Sequence, residues 1–289
     1  MRWSLFVMLA ACSDSADPGW MAAQDDTVSL AALSIPGTHD TGARFEPAPG
    51  LAKTQELTLA QQLDAGVRYL DIRCRHFEDA FLIYHGPVDQ NLGYDEVLAT
   101  LADYLETHPT ETVIVSVKEE SLPQDNTRTF AQTFDDYLAR APDLWYLGDR
   151  IPDLGEVRGK LVLLRRFDAP RAPLGLDASP WLDNTTFAVS NGAAMHIQDA
   201  YVVTSNDAKW AAITALFQEA KAGPPATLYL DYTSGYQMMN GLPNIPIVAG
   251  DINARLDAYL PTATGRHGVL VMDFLTPERA AAVIDLNLR

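Results

Sequence analysis

Short, nearly continuous apolar runs alternate along this chain with segments whose apolar residues recur at helical spacing. The runs at Val67–Arg73, Phe81–Tyr84, Val113–Val117, Leu161–Leu164, Met195–Ile197, Leu228–Leu230 and Val269–Met272 read as strands, with Ala32–Ile35 as a weaker first one. Runs apolar on both faces suit parallel strands covered on both sides. Between them, Leu57–Leu63, Asp95–Glu106, Asn126–Arg140 and Asp207–Ala222 carry helical patterns. The second sets Val97, Leu98, Leu101, Tyr104 and Leu105 on one face. A further helix opens at Gly250 and runs toward Leu260. Pro277–Leu286 closes the chain, with Thr276 as its N-cap and Pro277 at the first helical position.

Eight strands alternating with helices over roughly 260 residues predict an α/β fold of the (β/α)8 barrel type, a single domain over 27–289. The barrel is expected to be distorted. Arg73 to Phe81 leaves no room for a crossover helix, and Phe167 to Thr186 is rich in Pro, Asp and Gly. An open doubly wound sheet is the alternative. No Gly-rich dinucleotide fingerprint, no P-loop and no internal repeat is present, so nucleotide chemistry has no support.

The formal net charge of −17 over 289 residues removes the global basic footprint that nucleic-acid binding needs. An anionic substrate must therefore meet a local excess of Arg and Lys. The two cysteines, Cys12 and Cys74, imply no disulfide framework. Met1-Arg2 followed by the apolar run Trp3 to Ala11 reads as a secretory leader, 1–11, too short to span a bilayer as a helix. Leu9-Ala10-Ala11-Cys12 resembles a bacterial lipobox. In that reading Cys12 is lipidated and 12–26 is a flexible tether; in the other the cysteine is incidental to an ordinary leader. Either way the protein is expected to be exported, as a membrane-anchored lipoprotein or as a secreted protein.

Nearly every predicted strand ends in an ionisable side chain: His39 and Asp40, Asp71 and Arg73, His85, Lys118 and Glu119, Arg165 and Arg166, Asp199, Asp231, Asp273. In a parallel barrel these ends share one rim, where barrel enzymes place their chemistry. His39 and His85 together fit phosphodiester cleavage, one imidazole removing a proton and the other delivering one, because histidine titrates near neutrality. Arg73 is either a bidentate clamp for a phosphate or a rim ion pair with Asp71.

Several of these segments resemble one family. Leu33 to Asp40, Gly66 to Arg73, Leu82 to Gly86, Thr112 to Glu119, Gly159 to Arg166, Asp183 to Phe187 and Gly268 to Phe274 are similar, in order, to the motifs of the phosphatidylinositol-specific phospholipase C X domain. The resemblance spans about Thr27 to Arg289. It implies an incomplete barrel that cleaves phosphatidylinositol or a related glycerophosphoinositol to diacylglycerol and inositol 1,2-cyclic phosphate. It implies His39 as general base on the inositol 2-hydroxyl, oriented by Asp273. It implies Arg73 on the phosphate with Asp71 beside it, and His85 as general acid supported by Asp40. Lys118, one of Arg165 or Arg166, and Asp199 would bind inositol hydroxyls, with Tyr201 against the ring. Arg166 is favoured over Arg165, although an all-apolar strand leaves the parity open.

A guanidinium at Arg73, where eukaryotic relatives carry acidic calcium ligands, implies catalysis with no metal and no cofactor; Asp71 with Glu119 or Glu120 would be the calcium alternative. The expected partner is an inositol phospholipid at a membrane surface. No nucleic acid and no obligate protein partner are expected, and the protein should be a monomer. The loop Gly235 to Leu242 is apolar enough to dip into an interface, or to act as a lid. Gly42 to Thr54 has Phe45 but lacks the exposed tryptophan of the family's secreted members. A metal-dependent barrel glycerophosphodiester phosphodiesterase and a non-catalytic inositol-phosphate-binding barrel are the competing readings.

Overall fold

The computed structural model describes residues 18–288; the leader, Cys12 and the first part of the tether lie outside the described residues. Its strands are β1 (Ile35–Thr38), β2 (Tyr69–Phe77), β3 (Ala80–His85), β4 (Val88–Gly93), β5 (Val113–Gln124), β6 (Trp145–Tyr146), β7 (Leu161–Arg166), β8 (Leu176–Asp177), β9 (Thr186–Asn191), β10 (Ala193–Gln198), β11 (Leu228–Tyr232), β12 (Gln237–Met239), β13 (Leu242–Asn244) and β14 (Val269–Met272). The helices are α1 (Leu59–Asp64), α2 (Tyr94–Thr107), α3 (Phe130–Arg140), α4 (Leu154–Val157), α5 (Asn206–Ala222), α6 (Ile245–Tyr259) and α7 (Pro277–Ile284).

The parallel strands run in the order β6-β7-β5-β2-β1-β14-β11-β10, with β9 antiparallel on β10 and β8 beside β7. Among the described residues no pairing joins β9 to β6 or β8, so this distorted TIM barrel is open along that seam.

Two apolar layers hold it. One lies between sheet and helices and takes Leu161 and Leu163 of β7, Leu270 and Met272 of β14, and Val113, Val115 and Val117 of β5. The other fills the barrel and takes the alternate residues Val162 and Leu164, Val269 and Val271, and Ile114. Because side chains alternate across a strand, the inward set continues to Arg166, Asp273 and Lys118 at the strand ends. The same parity carries Ile35 to His39, Tyr69 to Asp71 and Arg73, and Ile197 to Asp199.

Four expectations change. Phe81–Tyr84 is not a barrel strand: β3 folds back antiparallel on β2 through Glu78 and Asp79, both left-handed (φ 49° and 59°), a hairpin turn that leaves the short β6 to complete the parallel set. The first strand starts at Ile35, because Leu30–Ala32 forms a 3-10 turn capped by the Ser29 hydroxyl. α6 begins at Ile245, five residues before Gly250, where Asn244 caps the helix and Pro246 fits its first turn. α3 starts at Phe130 because Asn126 and Thr127 are held by His76 O and Asp79.

The chain also packs from further upstream than Thr27. Trp20–Ala23 forms a 3-10 turn at the N-terminal ends of the strands, with Trp20 and Met21 buried in the barrel layer. The Trp20 indole N–H donates to Gly66 O at 2.9 Å, and the Arg158 guanidinium donates to Met21 O and Gln24 O. The expected tether thus ends before Trp20. Beside it, fully buried Arg68 pairs with fully buried Glu111 at 2.8 Å and also donates to Pro18 O and the Tyr104 hydroxyl. Replacing Glu111 by Ala leaves that buried cation without its counter-charge, held only by carbonyl and hydroxyl oxygens, and should lower the unfolding free energy by about 3–5 kcal/mol in urea titration.

Candidate active site

The strand ends open into a cavity of about 530 Å³ lined by His39, Arg73, His85, Lys118, Arg166 and Asp273, with Asp199, Tyr201 and Trp181 on its far wall.

Local folding sets each group. His39 follows β1, and its amide still donates to Met272 O at 3.0 Å, so it stays in register with β14 and beside Asp273. Gln55 pins that junction by donating to both His39 O (2.9 Å) and Met272 O (2.8 Å). Gly37 allows the close approach, since a Cβ there would meet Tyr69 Cβ at 3.0 Å and Leu270 O at 3.2 Å. Asp40 adopts the left-handed conformation (φ 43°), which turns the chain and drops its carboxylate beneath the pocket, fully buried.

His39 Nδ1 lies 2.7 Å from Asp273 Oδ1. The carboxylate can only accept, so Nδ1 carries the proton and Nε2 of the neutral ring is left as a base. His85 is tied the same way: Nδ1 donates to Ala52 O at 2.6 Å, and Nε2 faces Asp40 Oδ2 at 3.5 Å. The two ring centroids are 6.1 Å apart and nearly perpendicular, within reach of one tetrahedral group. Arg73 shares Asp40 with His85: its Nε and one terminal nitrogen hold Asp71 Oδ2 at 3.0 and 2.9 Å, while the other reaches Asp40 (3.6 Å) and Glu120 (3.5 Å) only loosely. Asp71 Oδ1 accepts from Arg166 at 3.2 Å. Lys118 donates to Glu120 at 2.6 Å.

These contacts shift the titrations. Burial pushes the His39 imidazole down, but Asp273 more than offsets it and the net value is raised. Burial raises Asp40, against His85 and Arg73. Burial would raise Asp71 too, but Arg73 and Arg166 hold it well below the usual carboxylate range. Arg73 and Lys118 outweigh burial at Glu120 and bring it to about 2.

Ten of the eleven sequence-predicted site residues meet around this cavity; Arg165 does not. It has the parity of Leu161 and Leu163, and its guanidinium binds Asp177, Leu174 O and Phe167 O on the outside of the sheet. Asp231 likewise faces outward, bonded to Gln198, and burial raises it to about 8. Tyr201 donates to Asp183 at 2.7 Å, which, with burial, raises its hydroxyl to about 12. The expected cationic excess is absent: Arg73, Lys118 and Arg166 line the cavity with Glu119, Glu120, Asp183, Asp199 and Asp273.

Two lining residues escaped the sequence reading in these roles. Glu120 is legible in the sequence only as a cation ligand because the apolar run stops at Val117; β5 runs on to Gln124, and alternation from Lys118 points Glu120 inward. Trp181 sits in a segment without periodicity. It stacks on Arg166, with the guanidinium carbon 3.6 Å from the ring centroid, and donates to Asp199 at 3.0 Å.

The family model of the phosphatidylinositol-specific phospholipase C X domain matches residues 49–167. The chain is also 33% identical to the 1-phosphatidylinositol phosphodiesterase of Listeria monocytogenes, over 93% of this chain and 84% of that protein. The chain belongs to the phosphatidylinositol-specific phospholipase C family. It is 30% identical to the protein of the same name from Staphylococcus aureus, over 88% of this chain and 87% of the other. A solved phosphatidylinositol-specific phospholipase C from S. aureus superposes with a TM-score of 0.84 at 28% identity, covering 94% of this chain and 98% of that one. Arg73, His85, Lys118 and Arg166 fall within the matched X-domain residues; His39, Asp199, Tyr201 and Asp273 flank them.

Because the folded value of His39 is raised above its ordinary 6.5, the pair with Asp273 adds stability that is fully present below that pH. The stability is lost as pH rises through the folded value, and the free base appears only above it. Asp273→Asn should therefore move the His39 titration midpoint down in a proton–carbon NMR series; an unmoved midpoint would contradict the electrostatic account.

Proposed function

We propose that this protein cleaves phosphatidylinositol, or a related glycerophosphoinositol, to diacylglycerol and inositol 1,2-cyclic phosphate. The observation that carries the reading is the pair of imidazoles 6.1 Å apart beside Arg73, each with its Nδ1 tied and its Nε2 available. His39 Nε2 removes the proton of the inositol 2-hydroxyl, whose oxygen attacks phosphorus. The loosely held edge of Arg73 neutralises charge on the non-bridging oxygens. The bond from phosphorus to the glycerol oxygen breaks as protonated His85 delivers its Nε2 proton to that oxygen, with buried Asp40 favouring the imidazolium. Each proton transfer is typically worth about 10²–10⁴ in rate. Asp71 holds Arg73, and Lys118, Arg166, Asp199 and Tyr201 bind the inositol hydroxyls.

The donor set supports a reaction without metal. Both oxygens of Asp71 are occupied by guanidiniums, and Glu120 is engaged by Lys118 and Arg73. A divalent ion there would meet two fixed cations, which disfavours the metal-dependent glycerophosphodiester phosphodiesterase. The β12–β13 hairpin presents Met238, Met239 and Leu242 to solvent, and Leu182 is exposed on the cavity wall. Such an apolar rim suits docking on a lipid surface. We read the protein as an exported monomer, lipidated at Cys12 or secreted.

Phosphorus NMR of phosphatidylinositol vesicles with chelator present should show cyclic inositol phosphate, and His39→Ala should lower the rate roughly 10²–10⁴-fold with headgroup binding retained. Full activity in that variant ends this mechanism. Replacing Met238 and Met239 together by Ser should weaken partitioning onto phosphatidylinositol vesicles in sedimentation, with turnover of a short-chain soluble substrate preserved.

A further inference from the structure

His39 and Asp273 stand side by side just past the ends of a strand pair, since β1 and β14 run parallel with Thr38 opposite Met272. Each is followed at once by a residue in the left-handed region, Asp40 (φ 43°) and Phe274 (φ 47°). Asp visits that region more readily than most residues; for a bulky residue such as Phe it is an outlier. Such backbone persists only where its surroundings hold it from several sides. The peptide unit joining Asp273 to Phe274 is gripped at both ends. Its carbonyl accepts from Asn253 Nδ2 at 2.9 Å, and its N–H donates to Thr54 O at 2.6 Å. The next unit is held likewise, with Phe274 O accepting from Arg279 at 3.0 Å and the Leu275 amide donating to Gln55 Oε1 at 3.3 Å.

Among the described residues, little else steers the Asp273 carboxylate. Its Oδ1 meets His39 at 2.7 Å, and its Oδ2 accepts a long bond of 3.4 Å from the Gly235 amide. Its aim is therefore set by the backbone beneath it. Turning the 273–274 peptide plane over would return Phe274 to negative φ, relieve its strain and shift the Cα that carries the carboxylate. Thr54 and Gln55 brace the N–H side, because they also hold the neighbouring turn: the Thr54 hydroxyl donates to Asp40 O and Gln55 donates to His39 O, each at 2.9 Å. Asn253 holds the carbonyl side. It sits in the middle of α6, buried, behind the cavity and not on its wall. Asparagine is a poor helix former and costly to bury unbonded, so a buried one inside a helix marks a contact it makes elsewhere.

We propose that Asn253 is a positioning residue for the reaction: by holding Asp273 O it keeps the strained Phe274 turn from relaxing, and so keeps the Asp273 carboxylate aimed at His39 Nδ1. The inference rests on the reading of His39, oriented by Asp273, as the general base.

The test uses the whole protein. Turnover of phosphatidylinositol and the His39 titration in a proton–carbon NMR series are followed together. Asn253→Ala should lower kcat roughly 10–100-fold, with KM within about threefold. The His39 midpoint should fall toward its ordinary 6.5, because the carboxylate that raises it is no longer held in place. Two backgrounds separate strain from packing. Phe274→Gly frees the left-handed turn, since glycine has no β-carbon, whereas Phe274→Ala removes the ring and keeps the strain. The loss of kcat on Asn253→Ala should shrink to about threefold or less in the glycine background and persist in the alanine one. Asn253→Leu, which fills the space and cannot donate, decides the case where Asn253→Ala does not fold. A loss confined to KM or to stability, an unmoved His39 midpoint, or equal losses in the glycine and alanine backgrounds overturns the assignment. Wild-type protein that leaves phosphatidylinositol intact counts against the phospholipase reading, and the His39 midpoints of the variants then decide Asn253's part by themselves.

Discussion

Asp71 is a buried carboxylate at the mouth of the barrel, and both guanidiniums of the site are built on it. Its Oδ2 takes two donors from Arg73 and the amide of Asp40, and its Oδ1 takes one from Arg166. Taking three ions out of water costs several kcal/mol each, and their mutual attraction offsets this only if the remaining donors and lone pairs are satisfied. The structure goes part of the way by extension, leaving Arg166 Nε without a partner. Lys118, Glu120, Arg73, Asp71, Arg166 and Trp181 form one continuous row of contacts across the cavity floor. Arg73 is anchored through one edge and loosely held at the other, which is what a phosphate clamp needs.

That row also explains how an acidic protein with a carboxylate-rich cavity can take an anionic substrate. No positive field surrounds the mouth. Recognition depends on a few donors whose charges are compensated behind them and open in front. Net charge bears on the whole surface and says nothing about the sign of the pocket lining.

The barrel class was legible because buried parallel strands are apolar on both faces and helices intervene at regular distance. The site was legible because the ends of those strands turn ionisable together. The very feature that revealed the strands hid their parity: Leu161 to Leu164 is uniformly apolar, so nothing in the residues separated Arg165 from Arg166. The structure separates them by which apolar layer their strand-mates join. Phe81 to Tyr84 read as a barrel strand because a hairpin buried on both faces has the same composition as a central strand; only the short Glu78-Asp79 turn distinguishes the two. Trp181 could not be found by periodicity, since its position depends on tertiary stacking alone.

The segment from Pro18 to Gln24 is clamped to the pole of the barrel where the strands begin, by Arg68, Arg158, Tyr104 and the indole of Trp20. The strand-end cavity and the methionine-bearing hairpin belong to the opposite pole. A molecule moored through residues ahead of Pro18 would stand with its opening turned outward. It would be aimed at lipid lying across a gap from its own attachment surface, and reaching the leaflet that holds it would require tipping the whole domain over.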